Sequence, residues 1–431
     1  MPHRASQTML VLSLVSLGSV VATGAAAQYN GMVVPPATTP PVDGRALIDI
    51  AGTRKKDKTP IELGPFAIQS EANAGFGFED NIRAAETDEL EDYYGELGAE
   101  VISRATAGGN EITTFASGSV RKYDSESDQD FEEWAVGGRT LSNVGDVVNL
   151  QAGLDMRQRV ISRENSRVVS PPERPVQFRQ TTAFAGIVHD PGTFRTVGSV
   201  TFRKTDIEDV VDLETSTIER FEDSEEYVVD LRVDYRRTEG LSLFTAGEVK
   251  VRTIDALDPS TDFDSTAIEL LAGVAFEPNS FVRGEVSVGF LSREFESDAF
   301  DEQTGGAFAA EVIYQPLRRL SFALEAGRGL QDSINAATAA SAIETSVSGS
   351  TVYDVNSNLQ VFLESRWRQE DFDEVDVNIE RGQLSVGSRI DINRSLDVQT
   401  RVSAFSQDTD SEVLGRDFDA ARAFTTLSYK F

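Results

Sequence analysis

Acidic and basic residues recur in this chain at every second position, and that spacing limits the chemistry they can do. Asp155, Arg157 and Arg159 form one such run, and Asp230, Arg232, Asp234 and Arg236 a second. Glu248, Lys250 and Arg252 form a third, and Glu364, Arg366 and Arg368 a fourth. Alternate residues of an extended strand share a face, so each run places mixed charge on one side of its strand. Arg283, Glu285, Arg401, Glu269 and Glu325 belong to the same set. Repeated around a wall, such rows can select ions and sugars through rings of charge. They can equally lock into ion pairs that stiffen the wall, and the spacing leaves both uses open.

Other chemistry finds less material. Of the two histidines, His3 falls in the leader and His189 stands beside Asp190-Pro191-Gly192, a turn. A Ser-His-Asp arrangement needs a histidine next to a nucleophile on a wall or rim, so no catalytic residue is expected. The chain has no cysteine, which excludes a lipoprotein anchor, disulfides and thiolate metal sites. Residues 206–226 carry ten acids against Arg220, and Asp371-Phe-Asp-Glu-Val-Asp376 is a second acidic group. Carboxylate oxygens suit calcium or magnesium, but neither stretch has the glycine and glutamate positions of an EF-hand. Solvated acidic loops, loosely bridged by divalent ions, are the expectation, with no dedicated metal site and no cofactor. A formal charge of −31 argues against a nucleic-acid partner.

The elements that must hold these charges read as strands. In Leu241-Ser-Leu-Phe-Thr-Ala-Gly-Glu-Val-Lys-Val-Arg252, one face takes Leu241, Leu243, Val249 and Val251, and the other takes Glu248, Lys250 and Arg252. The same division recurs at Tyr227–Arg236, Leu320–Gly327 and Leu359–Arg368. Strands are expected near 66–80, 90–104, 111–124, 130–141, 146–161, 176–189, 193–206, 224–237, 240–254, 264–277, 280–294, 303–315, 319–331, 340–353, 357–370, 379–391, 395–407 and 421–431. That is about 18, an even number, with 16 also compatible. Short connections (142–145, 189–192, 237–240, 277–280, 315–318) alternate with long polar ones such as 162–175, 207–223 and 408–420. Tight turns on one side and long loops on the other are the layout of an outer-membrane barrel. Tyr227, Tyr235, Phe290, Tyr353 and Trp367, near strand ends, suit an interfacial girdle. Charge on the lipid face would cost roughly 2–4 kcal/mol per residue at the midplane, which turns the charged rows toward the lumen.

The two ends complete the pattern. Arg4, the apolar run Met9–Val21 and Ala25-Ala26-Ala27 make a secretory signal peptide over 1–27. Residues 28–65, with Pro35-Pro36, Pro40-Pro41 and Arg54-Lys55-Lys56, read as an extended periplasmic linker. At the other end Thr425, Leu427, Tyr429 and Phe431 alternate up to a terminal phenylalanine, an edge that barrel-assembly machinery can pair with.

Ala74-Gly-Phe-Gly-Phe-Glu-Asp-Asn81, Tyr93-Tyr94 and Ser428-Tyr-Lys-Phe431 resemble the family called putative β-barrel porin 2. The resemblance implies an outer-membrane barrel associated with exopolysaccharide production and export, and it carries over no catalytic or binding residue. The expected fold is therefore an all-β, up-and-down antiparallel transmembrane barrel over 66–431. Its expected work is that of a non-enzymatic channel or conduit in the cell outer membrane, with exopolysaccharide as cargo. A general diffusion porin and a structural or adhesive barrel with acidic surface loops are the alternatives. The expected partners are outer-membrane lipid and lipopolysaccharide, the assembly machinery and periplasmic polysaccharide-export components.

Overall fold

The computed structural model describes residues 60–431 apart from 88, 162–172, 212–217, 220, 256–262, 280, 298–299, 333–340, 373–376 and 411–415. The leader expected at 1–27, and the linker up to residue 59, lie outside the described residues. The strands are β1 Ile61–Leu63, β2 Phe66–Glu79, β3 Asp92–Ala107, β4 Asn110–Tyr123, β5 Phe131–Val144, β6 Val148–Val160 and β7 Gln177–His189. They continue with β8 Phe194–Ile207, β9 Val210–Val211, β10 Ile218–Glu219, β11 Ser224–Thr238, β12 Leu241–Ile254, β13 Ser265–Asn279 and β14 Val282–Phe295. The last seven are β15 Gln303–Leu317, β16 Leu320–Asp332, β17 Ser341–Asp354, β18 Leu359–Phe372, β19 Val377–Asp391, β20 Leu396–Thr409 and β21 Phe418–Lys430.

Each long strand pairs antiparallel with its sequence neighbours, and β21 returns to pair with β2, closing the wall. Beyond β1, an appendage on β2, and the β9–β10 hairpin, the sheet is a closed barrel of 18 strands. Closure matters because no water is available in hydrocarbon to satisfy an open strand edge. The short connections all fall at one end of the barrel and the long ones at the other. In three of the short turns an asparagine side chain takes up the freed amides. Asn279 accepts from Phe281 and Val282, Asn356 from Asn358 and Leu359, and Asn393 from Ser395 and Leu396. At Gly240 φ is 76° and a Cβ would lie 2.3 Å from the Glu277 carbonyl oxygen, so that turn requires glycine.

The two faces of the wall differ as the alternation requires. Leu231, Val249, Leu270, Val288, Leu363 and Val386 are exposed on the outside, Val288 at 69%. Tyr227, Tyr235, Phe290, Tyr353 and Trp367 stand exposed on the same outer face. A contiguous apolar exterior around a closed barrel is the surface of a transmembrane barrel.

The first and last strands are locked by the segment around Gly75-Phe-Gly-Phe-Glu-Asp-Asn81. The Asp80 carboxylate accepts from the Ala421 amide at 2.6 Å, and Asn81 Nδ2 donates to the Asp419 carbonyl. Glu79 pairs with Arg422 at 2.8 Å. Gly75 and Gly77 leave room for the rings of Phe424 and Tyr94 on the neighbouring strands.

The acid-rich stretch 206–226 overlaps the wall at both ends, as the expected strands 193–206 and 224–237 require: Asp206 lies in β8, and Glu225 and Glu226 lie in β11. What differs from a solvated acidic loop is Glu226, which is fully buried in the wall. The β16–β17 hairpin also departs from simple wall geometry. β15–β16 pairing ends at Phe308↔Arg328, although β15 begins at Gln303 and β16 runs on to Asp332. Beyond that point Gly329–Asp332 and Ser341–Glu344 are buried on both faces. The hairpin end has parted from β15, while Ile343 and Glu344 stay paired with β18, and it leans over the inner wall. Leu330 and Ile343 pack there against Phe244, Ala267, Leu271, Leu291 and Ala307 of the inner wall.

Candidate functional site: the charged inner wall

The inner face is built from four kinds of residue. Glycines sit where an aromatic ring from the next strand must lie flat on the wall. Phe244 lies over Gly273, Phe362 over Gly387, Phe184 over Gly153 and Tyr94 over Gly77, each pair being direct cross-strand partners. A Cβ at any of these glycines would come within about 2.5 Å of the ring. An arginine then covers the ring's other face. The Arg232 guanidinium is 3.8 Å from the centre of the Phe244 ring, Arg121 is 4.2 Å from Tyr94 and Arg401 is 4.8 Å from Phe362. A carboxylate finally neutralises the arginine: Glu285 and Asp234 for Arg232, Glu96 for Arg121 and Glu364 for Arg401. The sequence Gly–aromatic–Arg–acid is thus repeated three times around the wall.

These pairs are deeply buried: both partners of the Arg401–Glu364 bridge, 2.6 Å apart, are below a tenth exposed. Taking two charges out of water costs several kcal/mol per ion, and it is recovered only when the geometry is good. The wall therefore holds its charges through short, often multiple contacts. Arg381 reaches Glu370 at 2.8 Å and Gln407 at 2.6 Å.

The charged residues marked in the sequence occupy several settings. Asp155 and Arg157 pair with each other at 2.6 Å, beside buried Arg159. Asp230, Glu248 and Glu269 are direct partners in a row across β11, β12 and β13, with Ser199 of β8 donating to Asp230. Arg232, Asp234 and Glu285 come together across four strands. Arg366 reaches Ser348, and Arg368 pairs with Glu344 at 3.3 Å. Glu325 and Glu311 are direct partners, as are Glu311 and Glu285, and Arg283 is buried one strand position from Glu285's row. Arg236 is the exception: it lies at the short-turn rim, partly exposed, and forks onto Asp190 of the neighbouring turn at 2.7 Å. Thr425, Leu427 and Tyr429 face outward on β21; Phe431, one residue beyond it, is exposed, and its amide donates to the Ser70 carbonyl of β2.

Lys250, Arg252 and Arg293 meet on one spot. Lys250 and Arg293 are both direct partners of the small Ala267, one from each side. Between them comes Asp332, from the end of the inward hairpin: 2.6 Å from Arg293, 3.1 Å from Lys250 and 3.7 Å from Arg252. Arg252 also approaches Glu226, which pairs with Arg203. Ser341 and Gln303 join the hairpin to β15 by side-chain hydrogen bonding.

Sequence reasoning did not single out Arg203, Arg293, Glu226 or Asp332. The first two were legible by parity, because Arg203 alternates with outward Val200 and Phe202, and Arg293 with outward Phe290. Asp332 was not, because its role follows from the hairpin end parting from β15. The only local trace of that departure is Gly327-Arg-Gly329, where alternation fades.

The sequence matches the family described as putative beta-barrel porin 2 over residues 57–431. No curated protein matches it. Among solved structures, the siderophore receptor PirA from Acinetobacter baumannii is 6% identical, with a TM-score of 0.48 over 84% of this chain and 80% of that one. The outer membrane protein opdK from Pseudomonas aeruginosa is 9% identical, with a TM-score of 0.46 over 84% and 98%. OccAB3 of Acinetobacter baumannii is 12% identical, with a TM-score of 0.46 over 86% and 100%.

Proposed function

The chain belongs to the putative beta-barrel porin 2 family, and from that premise we propose that this porin-like barrel is a conduit of the cell outer membrane through which a linear polysaccharide leaves the cell. The observation that carries the reading is the inward end of β16–β17, which packs over the inner wall in the long-loop half of a lumen lined by buried charge. A polar lumen with such an inward end suits a single extended chain with many hydroxyls better than bulk diffusion of mixed solutes. In this reading the apolar exterior would lie in outer-membrane lipid and lipopolysaccharide, with the long loops outside the cell. The outward alternation of Thr425, Leu427, Tyr429 and Phe431 offers the edge that barrel-assembly machinery would engage. Periplasmic export components would dock on the basic linker before residue 60. No enzymatic activity is proposed, since His189 stands exposed at a short turn, away from the buried charges.

The burial of the inner charges favours one second reading, a structural or adhesive barrel whose wall is stiffened by its ion-pair lattice. Liposomes loaded with a linear and a branched neutral oligosaccharide of equal mass separate the readings. A conduit releases the linear sugar faster than the branched one. A general diffusion porin releases both alike, and a structural barrel retains both; either of these results would overturn the proposal.

A further inference from the structure

The charge −31 of the whole chain makes the Asp332 site unusual, because here three cations converge on one carboxylate of the inward hairpin. Glu226, held by Arg203, is a second acid beside Arg252. Two of those cations are arginines, whose planar fork matches a carboxylate better than a hydroxyl or a compact anion. The carboxylate comes from the hairpin end. Asp332 is the last residue of β16, and that strand end has no ladder to β15. The inner wall thus holds a carboxylate cradle, already filled by a side chain of the same molecule. Gln303 and Ser341 stand beside it, with amide and hydroxyl groups of the kind that bind sugar hydroxyls.

We propose that Lys250, Arg252 and Arg293 form a binding site for carboxylate-bearing saccharides, uronate sugars, and that Asp332 occupies it in the resting barrel as an internal competitor. The inference rests on the polysaccharide reading above and names the class of saccharide. An incoming uronate exchanges one carboxylate for another, so the wall keeps its charge balance as the cargo is handed on. Neutral sugars cannot make that exchange, since a hydroxyl does not replace a charge-assisted bond. An internal competitor lowers the apparent affinity by the fraction of time the cradle is free.

The test is calorimetric titration of the refolded full chain in detergent micelles with trigalacturonate, and with maltotriose as the neutral probe. Asp332→Asn removes the competing charge at constant shape, and heat-modifiable migration on gels checks its folding. Asp332→Ser serves the same arm if the asparagine variant does not refold. The expected result is trigalacturonate binding at least about tenfold tighter in the Asp332 variant than in the wild type. Adding Arg293→Gln should abolish that gain, and maltotriose should bind neither protein. Equal trigalacturonate affinity in wild type and variant, or equal binding of the neutral sugar, overturns the inference. Uronate binding in micelles without oligosaccharide release from liposomes would overturn the conduit and leave the site. Release without any gain from the Asp332 variant would do the reverse.

Discussion

At the scale of single residues, the inner wall is a set of stacked contacts in which each member depends on the next. Gly387 lies under Phe362, and a Cβ there would be 2.3 Å from the ring and 2.4 Å from the Thr400 carbonyl oxygen. Gly387→Ala should lower stability by about 1–3 kcal/mol, the usual cost of overpacking. Gly306, where a Cβ meets open space, should accept alanine almost without change. Urea titration of the protein folded into lipid vesicles measures both. Arg401→Met leaves Glu364 buried without its 2.6 Å partner and should cost about 3–5 kcal/mol. Arg401→Met with Glu364→Gln should recover most of that loss. A double variant as unstable as the single one would show that the bridge is not what the wall loses. Which side of the strand these residues occupy was legible in the sequence, because period-two alternation fixes parity. Their partners were not. Arg232 meets Glu285 from three strands away, which depends on the stagger and curvature of the closed wall.

At the scale of elements, the closing seam is held by side chains beyond the end of the ladder. Asp80→Ala removes the acceptor for the Ala421 amide and should slow closure more than it alters the finished barrel. The expectation is a lower refolding yield with an unchanged unfolding midpoint for the folded fraction. The long-loop end carries a pH response. Burial holds the Asp223 carboxyl above its ordinary range, reinforced by Asp206 and Asp255 and opposed by the Ile207 amide and Lys204. The folded loop therefore keeps this proton more readily than the unfolded chain does. Its contribution is fully present below the ordinary carboxylate range and is lost as pH rises through the raised one. Resistance of this loop to protease should accordingly increase on mild acidification, and Asp223→Asn should flatten that dependence. A wild-type loop that becomes more susceptible on acidification would contradict the assignment. The strand positions and the alternation of short and long connections were readable from turn residues and apolar spacing. The inward β16–β17 end was hidden, because Leu330 and Ile343 keep the outward register of a wall strand while packing inside.

At the scale of the whole molecule, an acidic chain without cysteine gains its persistence from closure. Every long strand has two neighbours, the exterior is apolar, and the inner face carries buried charge, much of it paired. The structure describes how the wall is held and where a hairpin end packs inside it, and that inward packing is the feature on which the functional account depends. Arg328 and Thr345 are direct partners, so residues 329–344 can be replaced by a two-residue Asn-Gly turn that keeps the β16–β17 ladder below them, with Arg368→Met added because the change removes its partner Glu344. Single-channel recording in planar bilayers of the wild type and this shortened barrel is the most direct measurement. The account predicts discrete steps from the wild type and distinctly larger ones once the inward end is gone. Silence from both correctly folded proteins, or steps of equal size, would contradict it.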